Sequence, residues 1–162
     1  AVDDGRLLRR LSAPGARALE VSIAAEGAVV AAAHEGRVFV WGPSGGAPSA
    51  TISMHRGVDA FVLLPDGRRI VTATDMEVAV WDAVSGQRLG DFEGGGMVPR
   101  SIVASASGEV VAACGGTIQY LGGYWLSVWD MRTGRRLGEV VGRSGSYFCR
   151  VALGPTSMGD AV

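Results

Sequence analysis

Val78-Ala79-Val80-Trp81-Asp82, continuing as Ala83-Val84-Ser85-Gly86-Gln87-Arg88-Leu89, is the stretch on which the fold turns. Apolar residues alternate into Trp-Asp, a short polar turn with a glycine follows, and a second extended segment opens at Gln87. That pattern predicts two antiparallel strands joined by a tight turn. It recurs twice. Val38-Phe39-Val40-Trp41 leads to Gly45-Gly46, and Ser127-Val128-Trp129-Asp130 leads to Arg132-Thr133-Gly134-Arg135-Arg136-Leu137. In each case a glycine (46, 86 or 134) stands five residues beyond the tryptophan.

A second marker keeps step with the first. Turn glycines precede the tryptophans at 27, 67 and 108, in steps of 40 and 41, while the tryptophans at 41, 81 and 129 step by 40 and 48. A period of ~40–45 residues with four strands per unit is the mark of a propeller blade. The middle unit carries His55, Leu64-Pro65-Asp66-Gly67, Ile70-Val71-Thr72-Ala73-Thr74-Asp75 and Val80-Trp81-Asp82, and in these residues the chain resembles the WD-repeat β-propeller family. The resemblance spans nearly the whole chain. It implies an all-β fold, a β-propeller of four-stranded antiparallel blades, incomplete at about three to four blades. Residues 1–162 form one domain in this expectation, with units at about 7–41, 47–81 and 87–129, the start of a fourth over 135–162, and no second domain. The glycine-to-tryptophan spacing of the third unit exceeds the others, which places an insertion of about seven residues near Gly115–Trp125. Three units and two partial ends fall short of a ring of ~4–8 blades, so the remaining blades of a larger propeller are expected partners.

Composition narrows the function classes. Fifteen basic residues against 16 acidic give a net charge of −1, no field to hold nucleic acid or an anionic membrane. Every basic residue is arginine, which removes a P-loop lysine, a Schiff-base lysine and a lysine general base together. Gly94-Gly95-Gly96 lacks the continuation of a phosphate loop. Two histidines and two cysteines at scattered positions give no zinc spacing, and Asp3-Asp4 has no calcium-loop ladder, so neither metal nor cofactor is expected. Cys114 and Cys149 lie in different units among apolar residues, and are expected to be buried reduced thiols of an intracellular, cytoplasmic chain. No run reaches the ~18 apolar residues of a membrane span, and the first residues do not form a signal peptide.

Two groups of residues carry the functional expectations. His55, Thr72 (or Thr74), Asp75 and Trp81 imitate a hydrolase triad, but the resemblance implies a buried structural network of hydrogen bonds anchored on the tryptophan. The aromatic insertion is the candidate partner surface. Tyr120, Tyr124 and Trp125, with Arg56 and Arg100 as polar neighbours, combine large contact area with charge, and Met54, Met76 and Met97 fall in the same loops. The expected function is a non-catalytic interaction scaffold for a protein or peptide. The alternatives are purely structural blades that complete a ring and, third, a hydrolase using the His/Thr/Asp set.

Overall fold

The computed structural model describes residues 10–13, 20–24, 30–34, 36–55, 57–74, 77–93, 98–116, 123–142 and 150–153. Among them are twelve strands in three sheets. The first sheet holds β1 (Glu20–Ile23), β2 (Val30–His34), β3 (Arg37–Trp41) and β4 (Ala50–Ser53). The second holds β5 (Ala60–Leu63), β6 (Arg69–Ala73), β7 (Val78–Asp82) and β8 (Arg88–Asp91). The third holds β9 (Val98–Ala104), β10 (Val110–Gly116), β11 (Tyr124–Asp130) and β12 (Arg136–Gly142). Each sheet pairs its strands antiparallel in chain order, so every connection within a sheet is a hairpin. The strand after each tryptophan closes the sheet that the tryptophan belongs to. Each sequence unit therefore opens with the outer strand of one sheet and continues with three strands of the next.

The turn after Trp-Asp is built by the aspartate. Asp82 Oδ1 accepts from the amides of Val84 and Ser85 at 3.0 and 2.7 Å and from the Ser85 hydroxyl at 2.9 Å. Asp130 Oδ1 repeats this with the amides of Arg132 and Thr133 at 2.9 and 2.8 Å and the Thr133 hydroxyl at 2.9 Å. A short carboxylate can cap its own turn in this way. Gly86 and Gly134 then take φ of 71° and 69°, a left-handed backbone that a side chain disfavours. The outer strand of the preceding sheet also presses against them. A Cβ on Gly86 would stand 3.2 Å from the Thr51 carbonyl, and one on Gly134 would stand 3.0 Å from that of Asp91. Leu11 bridges Gly46 in the same fashion, so Leu11, Thr51 and Asp91 recur at steps of 40 against equivalent glycines.

Alternation along the inner strands makes the stack. Phe61 and Leu63 of β5 join a core with Val38, Val40 and Ile52 of the first sheet, together with Ile70, Ala79 and Trp81. The intervening positions, Ala60 and Val62, face a second core with Ile102, Val111, Ala113 and Trp129 of the third sheet. β5 consequently touches both β1 and β9. Each fully buried Phe, Leu or Ile contributes about 1.5–3 kcal/mol. Four-stranded antiparallel sheets stacked through their faces, with innermost strands side by side, are the blades of a propeller sector. The fold is all-β, as expected.

Two expectations need revision, one on the cysteine and one on the fourth unit. Cys114 is buried and disulfide-bonded instead of a reduced thiol; Cys149 lies outside the described residues. A pairing depends on how closely the fold brings two Cβ atoms, and neither apolar surroundings nor separation along the chain reports that. The fourth unit expected to start over 135–162 supplies the outer strand β12 but forms no strand in its described part at 150–153. The insertion after Gly115 lengthens a hairpin, because β10 and β11 are both seven-residue strands paired from Val110↔Asp130 to Gly116↔Tyr124.

Candidate functional site

The tryptophans occupy equivalent places yet anchor differently. Trp81 Nε1 donates to Thr72 Oγ1 at 2.8 Å, both residues being buried. Trp41 Nε1 donates to the Gly46 carbonyl at 3.1 Å, and Trp129 Nε1 reaches the Glu93 carbonyl at 2.8 Å. The register explains the difference. Thr72 lies opposite Ala79, and its counterpart opposite Ser127 is Ala113, which has no oxygen to offer. Two members of the expected network are thus bonded. His55 is not, and here the expectation is corrected: it is exposed and makes no hydrogen bond among the described residues. It follows the end of β4 in the first sheet by two residues. Asp75 lies outside the described residues.

His55 instead lines a cleft of ≈ 430 Å³ between the first and second sheets, with Met54, Thr74, Glu77, Trp81 and Arg88. Arg88 Nη2 donates to Glu77 Oε2 at 2.6 Å, and its Nε donates to Asp91 Oδ1 at 2.8 Å. The guanidinium lies over the Trp81 ring, 5.6 Å from its centroid. Hydrogen bonds to Glu77 and then Asp91 push the Arg88 pKa above its ordinary value, so the cation is permanent and doubly engaged. A carboxylate, an imidazole, a thioether and an indole face rim one opening. Thr74 Oγ1 accepts from the Glu77 amide at 3.3 Å within the same lining.

The aromatic surface divides. Trp125, expected at the surface, is only 4% exposed and packs edge-on to Trp129 with ring centroids 6.5 Å apart. β11 alternates, and the residues in phase with Trp129 turn toward the second sheet, which draws Trp125 into that core. Tyr124, one residue earlier, points the other way and is 45% exposed. It faces Gly142 across the hairpin, where a Cβ would stand 2.1 Å from the Tyr124 ring, so the ring covers the glycine. Arg100 is exposed at the register shift between Cys114 and Gly115, where Ser101 and Pro99 find partners and Arg100 does not. Tyr124, Arg100 and the His55 cleft stand at the same end of their sheets, opposite the Asp82 and Asp130 turns. Tyr120 and Arg56, with Met76 and Met97, lie outside the described residues. The aspartate turns are what the sequence expectations missed; the signal was a small hydroxyl residue (Ser85, Thr133) three positions after the aspartate in both units.

No family model and no curated protein matches the chain. Among solved structures, Kuenenia stuttgartiensis hydrazine synthase is similar with a TM-score of 0.65 at 17% identity, over 77% of this chain and 38% of that one. This chain therefore spans well under half of that protein's length, and the likeness at such identity is one of fold. The fold is widespread, since 611 solved chains match, and by itself it selects no activity.

Proposed function

We propose that the chain is a non-catalytic protein–protein interaction scaffold, a sector of a WD-repeat propeller that presents one end of its sheets to a protein or peptide. The observation that carries this is the employment of the polar residues. Thr72 is bonded to Trp81, the two Trp-Asp aspartates are bonded to their own turns, and His55 stands apart from all three. Of the residues that imitate a catalytic set, Thr72 is engaged with the Trp81 indole and His55 makes no hydrogen bond among the described residues, while Tyr124, Arg100 and the His55 cleft share one end. The Cys114 disulfide favours an oxidising compartment over the reducing cytoplasm expected from the cysteine spacing.

The test compares proteins retained by the immobilised wild-type chain with those retained by a Tyr124→Ser/Arg100→Ala variant of unchanged melting curve. A protein held by the first and lost by the second supports the surface. Equal retention would overturn its assignment. Retention of nothing by either would favour the structural alternative, for which the exposed end of the first sheet is the specific observation.

A further inference from the structure

Between the second and third sheets, β8 leaves a gap that the corresponding strand fills at the first junction. Gly90 pairs with Val80, and the Phe92 amide, two residues on, donates to the Val78 carbonyl. Opposed residues and alternate positions share one face of a strand pair. Phe92 lies in the core shared with the third sheet, and Val80 packs against it, but Gly90 adds no side chain to that row. A Cβ built on Gly90 would meet nothing within 4 Å. One repeat earlier the same position is Ala50, which pairs with Val40 and packs into the core between the first and second sheets. The missing side chain opens a cleft of ≈ 310 Å³ with Val80, Leu89, Phe92 and Met131 as its apolar lining. That volume lies at the lower end of ligand clefts, about 300–1,000 Å³, and suits one side chain with its adjoining backbone.

The polar side chains of the lining are Arg69, Asp91, Arg132 and Thr133, and three of them are engaged. Arg69 Nε donates to Asp66 Oδ2 at 2.9 Å, Asp91 Oδ1 accepts from Arg88 Nε at 2.8 Å, and the Thr133 hydroxyl donates to Asp130 Oδ1 at 2.9 Å. Arg132 is exposed, and its guanidinium makes no hydrogen bond or ion pair among the described residues. Asp130 feels that charge through space, but its Oδ1 holds the turn. The repeat provides a comparison. Val84 stands 48 residues before Arg132, after an aspartate that builds the same turn. The turn therefore needs no arginine at this position, and Arg132 is a cation without a structural partner beside an apolar cleft.

We propose that this cleft holds a glutamate side chain presented by an extended segment of a partner protein. Its aliphatic stem lies against Val80, Leu89 and Met131, and its carboxylate meets the Arg132 guanidinium. A guanidinium can take a carboxylate through two parallel N–H···O bonds, which selects an acid over an amide of the same shape. Asp91 is the one carboxylate in the lining, and Arg88 already holds it. The inference rests on the scaffold reading for the kind of occupant. It adds a contact beside the Asp130 turn, away from Tyr124 and Arg100.

The experiment titrates the full chain with the capped peptide acetyl-Leu-Glu-Leu-amide and follows backbone amide chemical shifts. The amides of residues 89–92 and 131–134 should move together. The counterpart with glutamine in place of glutamate should bind about three- to fivefold more weakly, the scale of one exposed charge pair. Arg132→Gln removes a side chain with no bond in the folded chain, so the melting curve should stay unchanged while the two peptides become equal in affinity. Gly90→Leu fills the cleft and should abolish the shifts with both peptides. Equal affinity of the two peptides for the wild-type chain, shifts confined to other residues, or no shifts at millimolar peptide would each overturn the site. Glutarate that binds at the same amides as tightly as the glutamate peptide would assign the cleft to a free dicarboxylate and overturn the proposal too. A collapsed melt in Gly90→Leu would show that the space is not open. Neither substitution touches Tyr124 or Arg100. If this site fails while the immobilised chain still retains a protein through those residues, the scaffold reading stands without it.

Discussion

One hydroxyl separates the tryptophan bonded to a side chain, Trp81, from Trp41 and Trp129, which are bonded to backbone carbonyls. Thr72→Val keeps the shape of the residue but leaves the buried Trp81 N–H without an acceptor, at an expected cost of about 1–3 kcal/mol in a denaturant titration. Thr72→Ser should recover most of it. His55→Ala, in contrast, changes an exposed side chain with no bond to lose, and should move stability by less than about 0.5 kcal/mol. A larger loss would put His55 back in the network. The Trp-Asp aspartates act through a different bond. The Ser85 amide and hydroxyl, then the Val84 amide, hold Asp82 below the ordinary aspartate value of 3.8; Thr133 and Arg132 do the same for Asp130. A depressed carboxylate stabilises the fold at neutral pH, and that contribution is lost as pH falls from about 4 through the lowered value. The acid limb of the melting curve should therefore flatten in Asp82→Asn and Asp130→Asn, and an unchanged limb would show that the turns do not carry it. The sequence made Trp-Asp visible as a marker but concealed what the aspartate does, because its partners are backbone amides, which every residue but proline possesses.

The strands that carry the tryptophans, β3, β7 and β11, and the outer strands that follow them were legible because period-two alternation and turn glycines are local. The junctions between sheets were not, since they depend on which side chain of one strand meets which backbone of another 41 residues away. Nothing in the sequence marks Glu20 as a junction residue, yet its carboxylate is partly withdrawn from water against β5. That burial raises its pKa above the ordinary 4.5, and the Phe61 amide opposes the rise without cancelling it. The sign is therefore opposite to that of the turn aspartates. The folded chain binds the proton more tightly than the unfolded one, so stability declines as pH rises from about 4.5 through the raised value. Glu20→Gln keeps an oxygen for the Phe61 amide and should remove that decline; a decline that persists would assign it elsewhere. Trp125 was misjudged for the related reason that a one-residue change of phase exchanges inside for outside. Gly115 belongs to the same shifted register. A Cβ there would stand 1.9 Å from the Val98 carbonyl, and backbone cannot swing aside as a side chain can. Gly115→Ala should cost about 1–3 kcal/mol as overpacking, and Gly142→Ala much less, since only the Tyr124 ring must move.

At the scale of the whole molecule, the repeat announced a stack of blades, and stacking leaves two end faces whose states composition does not reveal. The rear face is open at Val21 and Ile23, whereas on the forward side Ala112 and Cys114 are buried at 1% exposure. Cys114 is also the residue whose chemistry was misread, so covalent closure and burial coincide at one end of the stack. A disulfide limits the freedom of the unfolded chain, and losing one typically costs about 2–5 kcal/mol. The oxidised chain should accordingly melt higher than the chain in reductant, and the difference should vanish in Cys114→Ser, which melts alike under both conditions. Alkylation in denaturant must accompany the melts. Without prior reduction Cys114 should resist labelling, and after reduction it should label fully, with burial removed as an explanation by the denaturant. If Cys114 labels in the unreduced, unfolded chain, the forward end is held by packing alone, and the case for an oxidising compartment falls with the bond.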